Sequence, residues 1–513
     1  MTTPFLHPDR LFPIESQTRA IAKRLSNATL GALPTDVKKP AYDRTNVKIG
    51  IVHLGIGAFH RAHQAVYTDD VLASGDHRWG ILGASLRSPE TRDALSQQDG
   101  LYTIAMRSAE DTVHRVIGSI IRLLVAPENP EALIAAMADS HVKIVSLTVT
   151  EKGYCFDPAT GQLDLEHPDI RHDIENPDQP KTAPGFILAA LRRRHALGLK
   201  PFTVMSCDNL PSNGKKLHAI LVTLARFGSL DFARLIETEV ACPSTMIDRI
   251  VPQTTDEDRT ITKAALSIED AWPIATEPFT QWVIEDRFPE GRPSWGRFGA
   301  ELVDDVAPYE AMKLRLLNAS HTMLAVLGSL AGYRTVAEAM NDKVIGSFIA
   351  RFMEEDVIPV LTIPPGSDVH AYAASLQERF RNPMLQHRLE QIASDSSQKI
   401  PQRFLGTAQD RLAQGRPLGR LAYALAGFAL YVLGRDEAGQ SLALKDPMVE
   451  KLRQSLVAAG DDPEVIIQAL LGFTAIFGQW GQDRRFVDPI IHALKALQSQ
   501  GVRASLQAHV NRN

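Results

Sequence analysis

Lys313, Asn318 and His321 stand close together in the stretch Tyr309-Glu310-Ala311-Met312-Lys313-Leu314-Arg315-Leu316-Leu317-Asn318-Ala319-Ser320-His321. An amine, a carboxamide and an imidazole on one half-buried face can abstract a proton and hold a developing oxyanion. The Leu, Met and Ala around them read as a helix, with Pro308 at the start, where proline is tolerated. At about 100° per residue, Asn318 lies about 140° round that helix from Lys313 and His321 about 80°, so the three share a broad face. The same residue types also suit a plain core helix with a snorkelling lysine and a satisfied histidine. The stretch therefore needs partners elsewhere in the chain before it means chemistry.

A second group supplies a cofactor. Residues 48–54 form a short apolar run of strand length, followed by Gly55-Ile56-Gly57-Ala58-Phe59-His60 and a helical pattern over 61–72. Strand, Gly-x-Gly turn and helix open a dinucleotide-binding βαβ unit. Gly55 permits the tight turn, and Gly57 lets the backbone approach a pyrophosphate at the helix N-terminus. His60 stands where the common fingerprint has its third glycine. The next strand, 80–86, should be followed by an acidic residue for the ribose hydroxyls, and Glu90 is the nearest candidate. Arg87 and Ser88 precede it and could instead receive a 2′-phosphate, so NAD is the expected cofactor by a narrow margin.

These groups need a scaffold. Strand patterns at 113–121, 143–150 and 202–207 alternate with helical patterns at 130–138, 186–196 and 215–227, which implies a parallel, doubly wound sheet. Ligands bind such sheets at the strand C-termini. Two of those ends carry polar clusters, Thr150-Glu151-Lys152-Gly153-Tyr154 and Cys207-Asp208-Asn209-Leu210-Pro211. From about residue 300 the patterns become long and helical, as at 348–360, 420–433 and 463–477. The expected class is α/β, with an N-terminal extension over 1–44, a Rossmann-type dinucleotide-binding domain over 45–298 and a mainly α-helical C-terminal domain over 299–513. The proline-rich extension shows a short helical pattern at 16–26 and no chemistry.

Bulk properties narrow the function classes. The 513 residues carry a formal net charge of −5, which argues against a nucleic-acid or anionic-membrane surface. Cys155, Cys207 and Cys242 are too few and too scattered for a disulfide framework or a zinc ribbon. The first residues lack a basic and apolar leader, and no apolar run approaches membrane-spanning length, so a cytoplasmic protein is expected. No His-Glu-x-x-His is present, His60 and His63 lack an obvious third ligand, and no metal is expected. The absence of a Gly-x-Ser-x-Gly elbow argues against a hydrolase. Tyr309-x-x-x-Lys313 matches the spacing of short-chain dehydrogenases, but it lies far outside the Rossmann unit where that pair belongs, and it is read as coincidence.

Gly55-Ile56-Gly57-Ala58-Phe59-His60-Arg61-Ala62-His63, Val204-Met205-Ser206-Cys207-Asp208-Asn209 and Lys313-x4-Asn318-x2-His321, taken together, resemble the polyol-specific long-chain dehydrogenases. The similarity runs over nearly the whole chain from about residue 40. It implies a metal-independent hydride transfer between NAD(H) and a C2 position. By that resemblance Lys313 is the general acid–base, Asn209 and Asn318 bind the reacting oxygen, and His321 orients the substrate. The glycine turn, Gly55 to His60, carries the pyrophosphate, with His60 part of the family's pattern.

By the same resemblance, the expected substrate is a small sugar acid or polyol. A buried carboxylate needs a cationic or multiply hydrogen-bonded partner; Lys152, Lys399 and Arg403 are the candidate cations, and Glu151, beside Lys152, is a further substrate-binding candidate. The segments Glu151 to Cys155, Asp248-Arg249-Ile250-Val251-Pro252 and Ser397 to Arg403 resemble the uronate-reducing members. Leu210-Pro211 and Lys39-Pro40-Ala41-Tyr42 look more like the mannitol enzymes. Reduction of D-fructuronate to D-mannonate is expected, with oxidation of D-mannitol or a related polyol as the alternative. A nucleotide-sensing scaffold that has lost catalysis would be expected to lack Lys313, Asn209 or Asn318, and all three are present. A monomer or small homo-oligomer is expected.

Overall fold

The computed structural model describes residues 23–157 and 161–512. Its strands are β1 Ile49–Leu54, β2 Gly80–Ser85, β3 Tyr102–Arg107, β4 Thr112–Ile117, β5 Ile120–Val125, β6 Ile144–Leu147, β7 Thr203–Ser206, β8 Thr245–Asp248, β9 Ile274–Thr276, β10 Gln281–Glu285 and β11 Glu301–Val303. Five of them form one parallel sheet in the order β5-β2-β1-β6-β7. β6 and β7 are buried throughout and β1 almost so, because helices cover both faces of the sheet. That is why these segments read as continuous apolar runs. One face packs Val52, Leu54, Val145 and Val204 against the helices Pro130–Ala138, Ala183–Ala196 and Asn213–Ala225. The other packs Ile51, Ile144 and Met205 with Trp282 and Trp295.

Two three-stranded sheets, β4-β3-β9 and β11-β10-β8, flank the main one. From Ala307 the chain is helical, and its core of Leu, Met, Phe and Ile side chains begins at Met312 on the first of these helices and runs to Leu506.

Several expectations need correction. The single strand read at 113–121 is two, β4 and β5, parted by Gly118 and Ser119, and they belong to different sheets. The helix read at 61–72 is broken at His63, whose φ of −128° and ψ of −96° separate Ala58–Ala62 from Gln64–Ala73. β3 and β8 to β11 were not read as strands, four of these five being only three to five residues long. The helical pattern at 16–26 lies outside the described residues up to 22, and residues 23–26 are not helical. Among the described residues no helix is long and apolar enough to cross a membrane.

Candidate active site

The stretch around Lys313 is one continuous helix with an irregular turn inside it. Ala307–Lys313 is α-helical, Leu314–Asn318 is a π turn, and Ala319–Leu330 is α-helical again. A π turn fits five residues into the space of about four, so everything after it is rotated back by about 100°. Asn318 therefore comes about 40° from Lys313 instead of about 140°, and His321 about 20° on the other side. The irregular turn lines the three polar side chains up on one narrow stripe. Met312, Leu316, Leu317, Met323 and Leu324 are buried, as their types require.

Lys313 is 7% exposed, and its Nζ donates to Asn209 Oδ1 at 2.6 Å. The strand-end asparagine and the helix lysine thus meet across the cleft. Burial pushes the amine down to about 8; the Arg403 and Arg379 charges act the same way, and Asp248 and Glu310 oppose them. Asn318 is 6% exposed and, with Asn209, Lys313 and Glu310, lines a cavity of about 210 Å³. Glu310 is held in place by the Ser212 N–H, which donates to both its oxygens at 3.0 and 3.1 Å. The His321 ring packs against Phe380 at 4.3 Å between centroids and edge-on to His387. Burial holds its basicity well below the usual histidine range, and its Nε2 is buried with no partner among the described residues.

Beside this stripe lie two cations. Arg403, on the π turn Pro401–Leu405, donates from Nη1 to Asn318 O at 3.0 Å and to Thr322 Oγ1 at 2.7 Å. Lys399, one turn earlier, donates to Ile392 O at 3.0 Å and to Ser394 O. All four acceptors are uncharged, and among the described residues neither cation forms a salt bridge within 4.0 Å. Burial pushes Lys399 down to about 8, helped by the charge of Arg403, and Arg403 down to about 10. Glu151 opposes both shifts, so the turn Glu151–Tyr154 at the end of β6 belongs to the same neighbourhood. Lys152, the next residue, is exposed on that turn.

Behind Lys313 sits an arrangement that sequence reading missed. The Arg379 side chain, 7% exposed, donates to Asp248 Oδ1 and Oδ2 at 2.8 and 2.9 Å and to Glu277 Oε1 and Oε2 at 2.8 Å each. Its guanidinium carbon lies 3.9 Å from the Phe279 ring centroid. Tyr372 Oη donates to Asp248 Oδ2 at 3.2 Å. Burial works to raise the Asp248 carboxyl, and the charge of Arg379 overcomes it and holds the group below its usual range. Asp248 stands in a segment singled out for its resemblance. Arg379 and Glu277 lie 102 residues apart, and no local pattern links them.

At the nucleotide end, Gly55 has φ +93°, and a Cβ there would meet Thr148 O at 2.1 Å. Nothing lies within 4 Å of a Cβ placed on Gly57, so the space over the turn is open to a ligand. Ala58 and Phe59 begin the short helix beyond, and His60 turns inward and is 1% exposed. Arg87 and Glu90 are both exposed beyond β2, where Glu90 begins the helix Glu90–Ser96; the Ser88 hydroxyl holds its carboxyl below the usual range. Asp208, in one of the polar clusters read from the sequence, ties the ends of β6 and β7 together. It accepts from Val149 N and Thr150 N at 2.9 Å and from Tyr154 Oη at 2.7 Å.

A model of the mannitol dehydrogenase Rossmann domain matches residues 49–297, and one of the mannitol dehydrogenase C-terminal domain matches 305–498. The D-mannonate oxidoreductase of Escherichia coli (strain K12) is 44% identical over 478 residues, 92% of this chain and 98% of that protein. A mannitol 2-dehydrogenase of Aspergillus fumigatus is 42% identical over 485 residues, 93% of this chain and 96% of that protein. Among solved structures, Pseudomonas fluorescens mannitol 2-dehydrogenase in ternary complex with NAD and D-mannitol superposes with a TM-score of 0.87 at 41% identity. It covers 96% of this chain and 100% of that one.

Proposed function

The chain belongs to the mannitol dehydrogenase family of oxidoreductases, and from that premise we propose that it reduces the C2 ketone of D-fructuronate to D-mannonate, reversibly and without a metal. It is an NAD-dependent enzyme, as the family and the NAD-bound relative indicate. The residues present fit that cofactor: the open cradle over Gly57, with Gly55, Ala58, Phe59 and His60 around it, would hold the pyrophosphate, and Arg87 and Glu90, exposed beyond β2, would flank the ribose. When bound, NAD(H) supplies or accepts the hydride.

In the proposed mechanism the Lys313 ammonium gives its proton to the C2 oxygen in reduction, and the amine takes it back in oxidation. With an amine at about 8, both forms are populated within a unit or so of neutral pH. Asn209 keeps its Oδ1 on Lys313, which frees its Nδ2 to donate to the reacting oxygen, and the Asn318 carboxamide, lining the same cavity, supplies a second donor. The unpartnered Nε2 of His321 is available to orient a substrate hydroxyl. Lys399 and Arg403 receive the carboxylate, with Glu151 and Lys152 at the rim.

The observation that carries the uronate reading is the pair of half-buried cations, Lys399 and Arg403, both bound only to uncharged oxygens. A partly desolvated guanidinium without a counter-ion is costly alone and favourable with an incoming carboxylate. Relatives at 42% and 41% identity act as mannitol 2-dehydrogenases, and this favours D-mannitol oxidation as the second reading. The test is to incubate purified protein with NADH and D-fructuronate and identify the product. One D-mannonate formed per NADH consumed supports the proposal; unreacted D-fructuronate alongside rapid conversion of D-fructose sinks it.

A further inference from the structure

Directly beneath the glycine turn is a line of fully buried polar side chains that the mechanism above does not use: Gln64, Ser146 and His53. His53 lies on β1 in register with Ser146 on the neighbouring β6, so both point to the same face of the sheet. His53 Nδ1 is 2.8 Å from Ser146 Oγ, which in turn is 2.9 Å from Gln64 Oε1. On the other side, His53 Nε2 is 3.2 Å from the carbonyl oxygen of Gly55 and 3.0 Å from Thr148 Oγ1. The Thr148 hydroxyl donates to that same carbonyl at 2.7 Å, and so does the Gly57 N–H at 2.8 Å.

These contacts fix where the imidazole proton sits. Once Thr148 has donated to Gly55, the Nε2 of His53 faces two acceptor oxygens and must itself be N–H. Nδ1 is then a lone pair and takes the Ser146 hydroxyl proton, so the Gln64 carboxamide, which is placed with Oε1 toward Ser146, must turn to offer its NH₂ there instead. The opposite orientation of that carboxamide leaves Gln64 Nε2 as a buried donor with no acceptor. The His60 ring lies parallel on His53, with centroids 3.4 Å apart and 12° between planes, so His53 cannot tilt away. A large flat side chain at the third-glycine place thereby acquires a physical use.

We propose that His53, with its proton on Nε2, is a positioning residue for the cofactor: with Thr148 it draws the Gly55 carbonyl into the sheet, so that the N–H groups after Gly57 face outward to a pyrophosphate. A carbonyl turned the other way would present a negative dipole to the phosphates. Burial holds the ring's basicity at about 3, so it carries a single proton throughout the working pH range. The inference rests on the family's cofactor and not on which sugar is reduced, so it stands or falls separately from the uronate reading.

The test is NADH affinity, read from NADH fluorescence with purified protein, for His53→Leu, His53→Gln, Thr148→Val and Ser146→Ala. Losing one such hydrogen bond should raise Kd for NADH about 2- to 10-fold in His53→Leu and Thr148→Val. His53→Gln places an amide N–H near the old Nε2 and should restore Kd to within about 2-fold of wild type. Ser146→Ala releases the tautomer and should fall between them. The loss in kcat/KM should be carried by KM for NADH, with KM for the sugar unmoved. Nitrogen NMR of the wild-type protein with labelled histidine should show His53 as the Nε2–H tautomer. A folded His53→Leu that binds NADH as wild type does, a His53→Gln no better than His53→Leu, or an Nδ1–H tautomer each overturns the proposal. If His53→Leu does not fold, Thr148→Val and the tautomer decide it.

Discussion

Replacing Arg403 with methionine should change which sugar the enzyme prefers more than how fast it works. The substitution keeps the length of the side chain and removes the guanidinium. Two sets of interactions go with it. The first is the pair of Nη1 hydrogen bonds to Asn318 O and Thr322 Oγ1, which every substrate experiences through the placement of Asn318. Each is worth on the order of 1 kcal/mol. The second is the contact that the rest of the guanidinium is free to make with a substrate carboxylate, and only a uronate can use it. A charged hydrogen bond of this kind is worth about 1.5–3 kcal/mol, or about 10- to 150-fold in kcat/KM. The ratio of kcat/KM for D-fructuronate to that for D-fructose cancels the first set and isolates the second. Measured by NADH consumption, that ratio should fall about 10- to 150-fold in Arg403→Met. An unchanged ratio, with both sugars losing equally, would show that Arg403 only props up the helix and would refute the reasoning.

Three further outcomes follow from the same geometry. Lys313→Ala should abolish turnover in both directions while leaving NADH binding nearly intact; near-wild-type rates would remove Lys313 from its role. With the Lys313 amine at about 8, ketone reduction needs the ammonium and should fall as pH rises through about 8, while alcohol oxidation needs the free amine and should rise over the same interval; pH profiles of kcat/KM that move in the same direction would contradict this. Arg379→Met leaves Asp248 and Glu277 buried without their cation and should lower stability in urea unfolding by about 3–5 kcal/mol. In the wild type the Asp248 carboxyl is depressed, so its contribution is present above the usual carboxylate range and lost as pH falls through the folded value; in the variant burial loses its main opponent, so the deficit should be largest near neutral pH and shrink as the medium is acidified. A deficit that does not depend on pH would mean the carboxylates are not the source.

Local signals carried the glycine turn and the central sheet into the sequence reading. Residues 48–54 and 143–150 are apolar because both faces of β1 and β6 are covered, and Gly55 is needed because Thr148 O leaves no room for a Cβ. The lysine helix was legible as a helix, but its stripe was not. Steps of about 100° spread Lys313 and Asn318 too widely, and only the π turn at Leu314–Asn318 closes the gap. Nothing in Leu-Arg-Leu-Leu-Asn marks that turn. The Arg379 network and the line from Gln64 to His53 were invisible as well. Their hydrogen-bonded partners lie 82 to 131 residues apart and meet only when β1, β6, β8 and the C-terminal helices are assembled. Short flanking strands such as β9 and β11, three residues each, present too few alternations to be read.

The central claim is that the lysine–asparagine stripe acts on a keto acid held by Lys399 and Arg403. The most direct measurement is kcat/KM of the purified wild-type protein with NADH, for D-fructuronate and D-fructose side by side at one pH below 8. The account predicts that D-fructuronate is preferred by at least about 10-fold, the lower bound for one charged hydrogen bond. A preference for D-fructose of any size would contradict it and make the protein a polyol dehydrogenase in which Lys399 and Arg403 serve another purpose.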